Sequence, residues 1–255
     1  MFSEKISFIL KFVLWGAPLL FWLGWQIILI YPYALWVLAL STLILLIPAL
    51  FEVGGRVFNR HFAFSLVGTS LLLGSFYLFI SLLANNLVVQ VLWLIMVWHL
   101  YRYLLASRKF IVSGDASDWA QMSLYAGLVT IFLASASLFG LQAFLSLSPW
   151  PLLGVLALVL LANTSSLAYS QNWYLKENMW LWPWLSLMVA EIAMMISFLP
   201  LNYLISGILS ALAYYSAINF VRLYLTKKLS GRRIKNYALF TVISLAVILL
   251  TARWL

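Results

Sequence analysis

Apolar stretches long enough to cross a bilayer follow one another along this chain, separated by interruptions of only a few polar residues. A helix needs about 20 apolar residues to span the hydrocarbon core. On that rule the pattern predicts nine spans, near residues 8–30, 34–51, 62–84, 86–106, 119–145, 151–169, 180–199, 203–225 and 236–253. The interruptions alternate in character. "YPY" at 31–33, "ANN" at 84–86, "SLSPWP" at 146–151 and "PLN" at 200–202 carry no charge. The intervening connections carry Arg56 and Arg60, then Arg102, Arg108 and Lys109, then Lys176, then Arg222, Lys227, Lys228, Arg232, Arg233 and Lys235. With Lys5 and Lys11 this places 14 of the 15 basic residues on one side and leaves Arg253 alone opposite. Cytoplasmic loops hold the excess of Lys and Arg, so a cytoplasmic N-terminus and an external C-terminus are expected.

Composition agrees with that pattern. Hydrophobic residues make up 65% of the 255 and charged residues 8%, with a mean hydropathy of +1.05, whereas a soluble domain carries about 25% charged residues. The fold class is therefore an all-α polytopic membrane protein of about nine transmembrane helices, forming one membrane domain over 1–255. A net charge of +9 reads here as orientation in the bilayer and contact with anionic headgroups, not as nucleic-acid binding. The first apolar run, 6–30, is too long for the core of a cleavable signal and is expected to remain as the first span. The expected location is a plasma (inner) membrane of prokaryotic type.

An internal match suggests a duplication. "ISLLANNLVV" from Ile80 aligns with "ISFLPLNYLI" from Ile196, and "IYPYALWVLAL" from Ile30 with "LSPWPLLGVLAL" from Leu147 with one gap. "LYRYLL" from Leu100 aligns with "FVRLYL" from Phe220, laying Arg102 over Arg222. Two four-helix repeats, 1–112 and 113–230, followed by an additional helix in 231–255, would account for the offsets. An even number of spans per unit makes the repeats parallel about an axis along the membrane normal.

Candidate sites are few. Glu191 lies about 11 residues into the seventh span, near the bilayer midplane at 1.5 Å per residue, where an acidic side chain costs about 2.5–3.5 kcal/mol on insertion scales. The expectation is that it faces the bundle and meets Asn163 of the "NTSS" stretch and Asn219, a polar cluster worth about 0.6–2 kcal/mol per hydrogen bond. At the end of the fourth span "WHLYRYLL" puts His99 and Arg102 on one helical face. Together with Arg222, Lys227, Lys228, Arg232 and Arg233 they form the set expected to contact headgroups or a lipid phosphate; the bland alternative is snorkelling to the interface. Small residues at Ser206, Ser210, Ala213 and Ala217 read as a seam for close helix packing. Asp118 with Gln121 reads as a capping box for the fifth span.

Established chemistries have little to work with. Cysteine is absent, only His61 and His99 could offer imidazoles, and six acids are spread over the chain. Neither a metal site nor a cofactor is expected, no catalytic residue is assigned, and the reading leans away from an enzyme. Three functions compete: first a non-catalytic subunit or scaffold of a membrane complex, then a small-molecule or lipid carrier with a proton-sensitive Glu191, and third an enzyme acting on a lipid-linked substrate at the cytoplasmic face. Expected partners are anionic lipids at the basic loops and a membrane protein or a second copy of the chain.

Overall fold

The computed structural model describes residues 67, 68, 71, 72, 75, 79, 117–171, 173, 179–227 and 230–252. The described residues are helical, joined by short turns, and contain no strand. Five complete helices follow in order: α1 (Ser117–Leu145), α2 (Pro149–Ser170), α3 (Leu181–Ser197), α4 (Tyr203–Leu225) and α5 (Gly231–Thr251). Four of them, α1, α2, α4 and α5, are long and apolar enough to cross a membrane, with mean hydropathies of 1.6 to 2.0 over the spanning stretches. The protein is an integral membrane protein. The 17 residues of α3 reach only about 25 Å, slightly less than the roughly 30 Å hydrocarbon core.

Local sequence explains where the helices begin and end. Pro149 stands at the start of α2, where its missing N–H costs nothing and its fixed φ already suits a helix. Ser146, at φ 53°, makes the left-handed step that turns the chain out of α1. Pro200 separates α3 from α4, and the Asn202 side chain caps α4 by accepting from the Leu204 N–H at 3.0 Å. Ser230 caps α5 by accepting from the Arg233 N–H at 3.4 Å. That cap starts the last helix about five residues ahead of the predicted span. It draws Arg232, Arg233 and Lys235 out of the expected loop and onto the first exposed turns of the helix. Asp118 falls inside the first turn of α1, where a negative charge complements the helix N-terminus.

Two compact units divide the chain, 1–65 with 83–122, and 66–82 with 123–255. Almost all the described residues belong to the second. In it, α1 to α4 share one hydrophobic core, including Ile131, Leu160, Leu167, Val189, Leu209 and Ile218. Of the helical residues in 67–79, Leu72, Ser75 and Phe79 are buried, and Phe79 meets Phe132 of α1 with ring centroids 5.8 Å apart. Helix α5 is peripheral. None of its residues is buried, and it is fastened to α4 by a Ser216–Thr241 hydroxyl hydrogen bond at 3.0 Å and an edge contact of Phe240 on Tyr215.

Helices α1 and α4 approach most closely at Gly207. A Cβ added there would lie 2.8 Å from Ala136 Cβ and 3.0 Å from the Ala136 nitrogen. Membrane helices gain packing energy where small residues let backbones come together, and Ser206, Ser210 and Ala217 are all buried along α4. Of the seam expected from the sequence, Ser206, Ser210 and Ala217 are buried and Ala213 is half-buried, and Gly207 lies against Ala136 of α1. The nine-span count, the paired repeats and the first unit's candidates fall outside the described residues.

Candidate functional site

The polar groups in the bundle separate into an inner set and an outer one. The inner set is centred on Asn163 of α2, which is buried. Its amide nitrogen donates to the Tyr214 hydroxyl at 3.0 Å and to the Gly127 carbonyl at 3.2 Å, tying α2 to α4 and α1 at once. Gly127 leaves room for this geometry: a Cβ there would sit 3.1 Å from the Asn163 amide nitrogen, which would have to shift by a few tenths of an ångström. At the next residue along α2 the hydroxyls of Thr164 and Ser186 meet at 2.7 Å and join α2 to α3. Each of these hydroxyls also lies within hydrogen-bonding distance of a carbonyl of its own helix, Leu160 at 2.7 Å and Trp182 at 2.9 Å. Burying polar groups without partners in an apolar medium costs several kcal/mol each, in the range of about 2–7, and these are partnered.

Asn219 is buried but donates within its own helix, to the Tyr215 carbonyl at 2.9 Å. The expected meeting of Asn163, Asn219 and Glu191 is not what the described contacts show: Asn163 is engaged by Tyr214 and Gly127, and Glu191 takes part in no hydrogen bond or ion pair among the described residues.

Glu191 is exposed. The reason lies in the sidedness of α3. Trp182, Leu185, Ser186, Val189, Ala190, Ala193 and Ile196 are buried, and at helical spacing they form one face. The opposite stripe holds Trp184, Leu187, Met188, Glu191 and Met195. Both faces are apolar, so hydrophobicity alone does not choose between them. Size does: the buried face carries Ser186, Ala190 and Ala193, which allow close approach, and the exposed stripe carries the bulky side chains. That contrast was available in the sequence and outranks the general tendency of intramembrane carboxylates to face inward.

The stripe is one wall of a groove of about 450 Å³ between α3 and α4. Leu181, Trp184, Leu185, Leu187, Met188 and Glu191 line it from α3, and Ala217, Phe220 and Val221 from α4. Among the described residues that line it, Glu191 is the only one with a charged side chain. Trp184 is 68% exposed and Phe220 54% exposed, so their rings stand open to the groove. Sequence reasoning missed Trp184, Met188 and Phe220. The signal for the first two was the i, i+4, i+7 spacing of Trp184, Met188 and Glu191.

A second cavity, of about 490 Å³, lies at the other end of α3, lined by Phe139, Gln142, Phe144, Asn202, Tyr203 and Ser206 among others. Its polar groups are neutral amides and hydroxyls. Of the expected headgroup contacts, Arg222 is exposed near the end of α4, Lys227 is exposed in the turn after it at φ 53°, and Arg232 and Arg233 are exposed on α5. His99, Arg102 and Lys228 lie outside the described residues. Among the described residues no three His, Asp or Glu side chains come together as a metal site would require. Compared with protein-family models, with curated proteins and with solved structures, the chain matches none.

Proposed function

We propose that this membrane protein is a carrier or receptor for a small, largely apolar molecule held beside Glu191. One observation carries the reading: the carboxylate stands in an open groove of ligand size, and the polar contacts that join α1 to α4 among the described residues do not involve it. Lipid tails can cover an exposed leucine at no cost, but they offer a carboxylate nothing. Pockets for drug-sized ligands run to about 300–1,000 Å³, and the groove falls within that range. Native mass spectrometry of protein extracted gently from its own membrane tests the reading. The expected result is a lone chain or homo-oligomer with a small molecule bound, and loss of that molecule in Glu191→Gln.

The second reading is a non-catalytic subunit. It is favoured by α5, a membrane-length helix with no buried residue, whose free surface would suit a protein neighbour. A fixed-ratio complex with another polypeptide in the same experiment would establish it in place of the carrier.

The proposed setting is a nine-span protein of two parallel repeats and a last helix, in a prokaryotic inner membrane with the N-terminus cytoplasmic. In that orientation the groove runs from the cytoplasmic end of α3 at Leu181 towards the middle of the bilayer at Glu191. The cations Arg222, Lys227, Arg232 and Arg233 would then meet anionic headgroups, each worth about 1 kcal/mol near the surface.

A further inference from the structure

We propose that the occupant of the α3–α4 groove is a hydrophobic organic monocation whose charge is shielded, of the quaternary ammonium or phosphonium kind; the inference rests on the carrier reading and names its substrate class. Charge sets the sign. Among the described residues Glu191 is the only charged group in the lining, and it has no cationic partner there. An anionic ligand would be repelled, and a neutral one would leave the negative charge uncompensated in an apolar setting. A single carboxylate matches a single positive charge.

The remaining lining decides what kind of cation fits. A lysine-like ammonium brings three N–H donors and a guanidinium five. Beyond the two carboxylate oxygens the groove walls of Leu181, Leu185, Leu187, Ala217 and Val221 offer no side-chain acceptor. Donors left without acceptors would carry the desolvation cost of unmade hydrogen bonds. A cation with no N–H avoids that cost.

The aromatic residues add an attraction suited to such a group. Cations are attracted to the faces of Trp and Phe rings, and aromatic cages are the usual means of holding quaternary ammonium groups. Trp184 lies seven residues before Glu191, about 10 Å along the helix axis, with the polarisable Met188 between them and Phe220 on the opposite wall. A ligand with its charge near Glu191 and its apolar body along Met188, Phe220 and Trp184 would fill this length. A transmembrane helix of about 10–12 Å diameter would need a longer and wider trough than about 450 Å³. The second cavity, with Gln142, Asn202 and Ser206 and no charge, supplies an internal control.

The test compares two ions of nearly the same shape and opposite sign. The full chain in nanodiscs of phosphatidylcholine is titrated with tetraphenylphosphonium and, separately, with tetraphenylborate. Saturable binding of the phosphonium at one site per chain is expected, and of the borate none. Glu191→Gln should weaken phosphonium binding at least tenfold and Trp184→Ala about fivefold, while Gln142→Leu should leave it unchanged. Trp184 is largely exposed, so its variant keeps the test informative if the Glu191 variant folds poorly. Equal saturable binding of both ions, unaffected by Glu191→Gln, would overturn the cation inference and leave the groove as a general apolar site. Saturable binding of neither ion would overturn the cation inference too; the carrier reading would then fall only if native mass spectrometry also finds no bound small molecule.

Discussion

Asn163 and Glu191 are both polar side chains well inside apolar helices, and they end in opposite surroundings. Asn163 is buried between three helices with its amide doubly engaged, whereas Glu191 looks out of α3 into a groove with no partner among the described residues. The difference follows from what each group needs. The two N–H donors of a neutral amide are satisfied by one hydroxyl and one carbonyl, here those of Tyr214 and Gly127. A carboxylate among Trp184, Met188 and Phe220 is satisfied only by something that comes to it. Polarity in the inner region therefore joins helices, and polarity in the outer region is what the proposed ligand would engage.

Substitutions can break that comparison from either side. The largest effect is expected from Gly207→Leu, whose side chain would be driven into the Ala136 backbone; a loss of about 3 kcal/mol should appear in reversible unfolding in mixed micelles. Asn163→Leu removes both bonds of the inner set and should cost about 1–2 kcal/mol in the same measurement. Thr164→Val should cost about 0.5 kcal/mol, because Ser186 keeps its bond to the Trp182 carbonyl. The smallest effect belongs to Glu191→Gln, expected within about 0.5 kcal/mol of the parent because the group is exposed both before and after the helices assemble. A loss of 1–2 kcal/mol for Glu191→Gln would mean that it staples helices after all.

Much of this architecture could be read from the sequence. Predicted spans 119–145, 151–169, 180–199 and 203–225 lie within two residues of α1 to α4 at each end, because apolar length and the Pro and Asn turns leave little choice. The predicted span at 236–253 starts after the cations, whereas α5 starts before them, because Ser230 caps the helix. The seam on α4 follows the three- and four-residue spacing of Ser206, Ser210, Ala213 and Ala217, a pattern that steps over Gly207. Depth along a helix follows directly from residue number, which is how Asn163, Asn219 and Glu191 came to be grouped. The direction a side chain faces does not, and in an all-apolar helix it is set by the small residues, here Ser186, Ala190 and Ala193, more than by the polar one.

The cysteine-free sequence allows the most direct test of this sidedness. Single cysteines placed one at a time from position 184 to position 196, spin-labelled in lipid bilayers, would report collision with dissolved oxygen by electron paramagnetic resonance. Accessibility is predicted to rise and fall with a helical period, high at Trp184→Cys, Met188→Cys, Glu191→Cys and Met195→Cys and low at Val189→Cys and Ala193→Cys. A label at Glu191→Cys as protected as one at Ala193→Cys would contradict the account, returning the carboxylate to the bundle interior and removing the groove as its site.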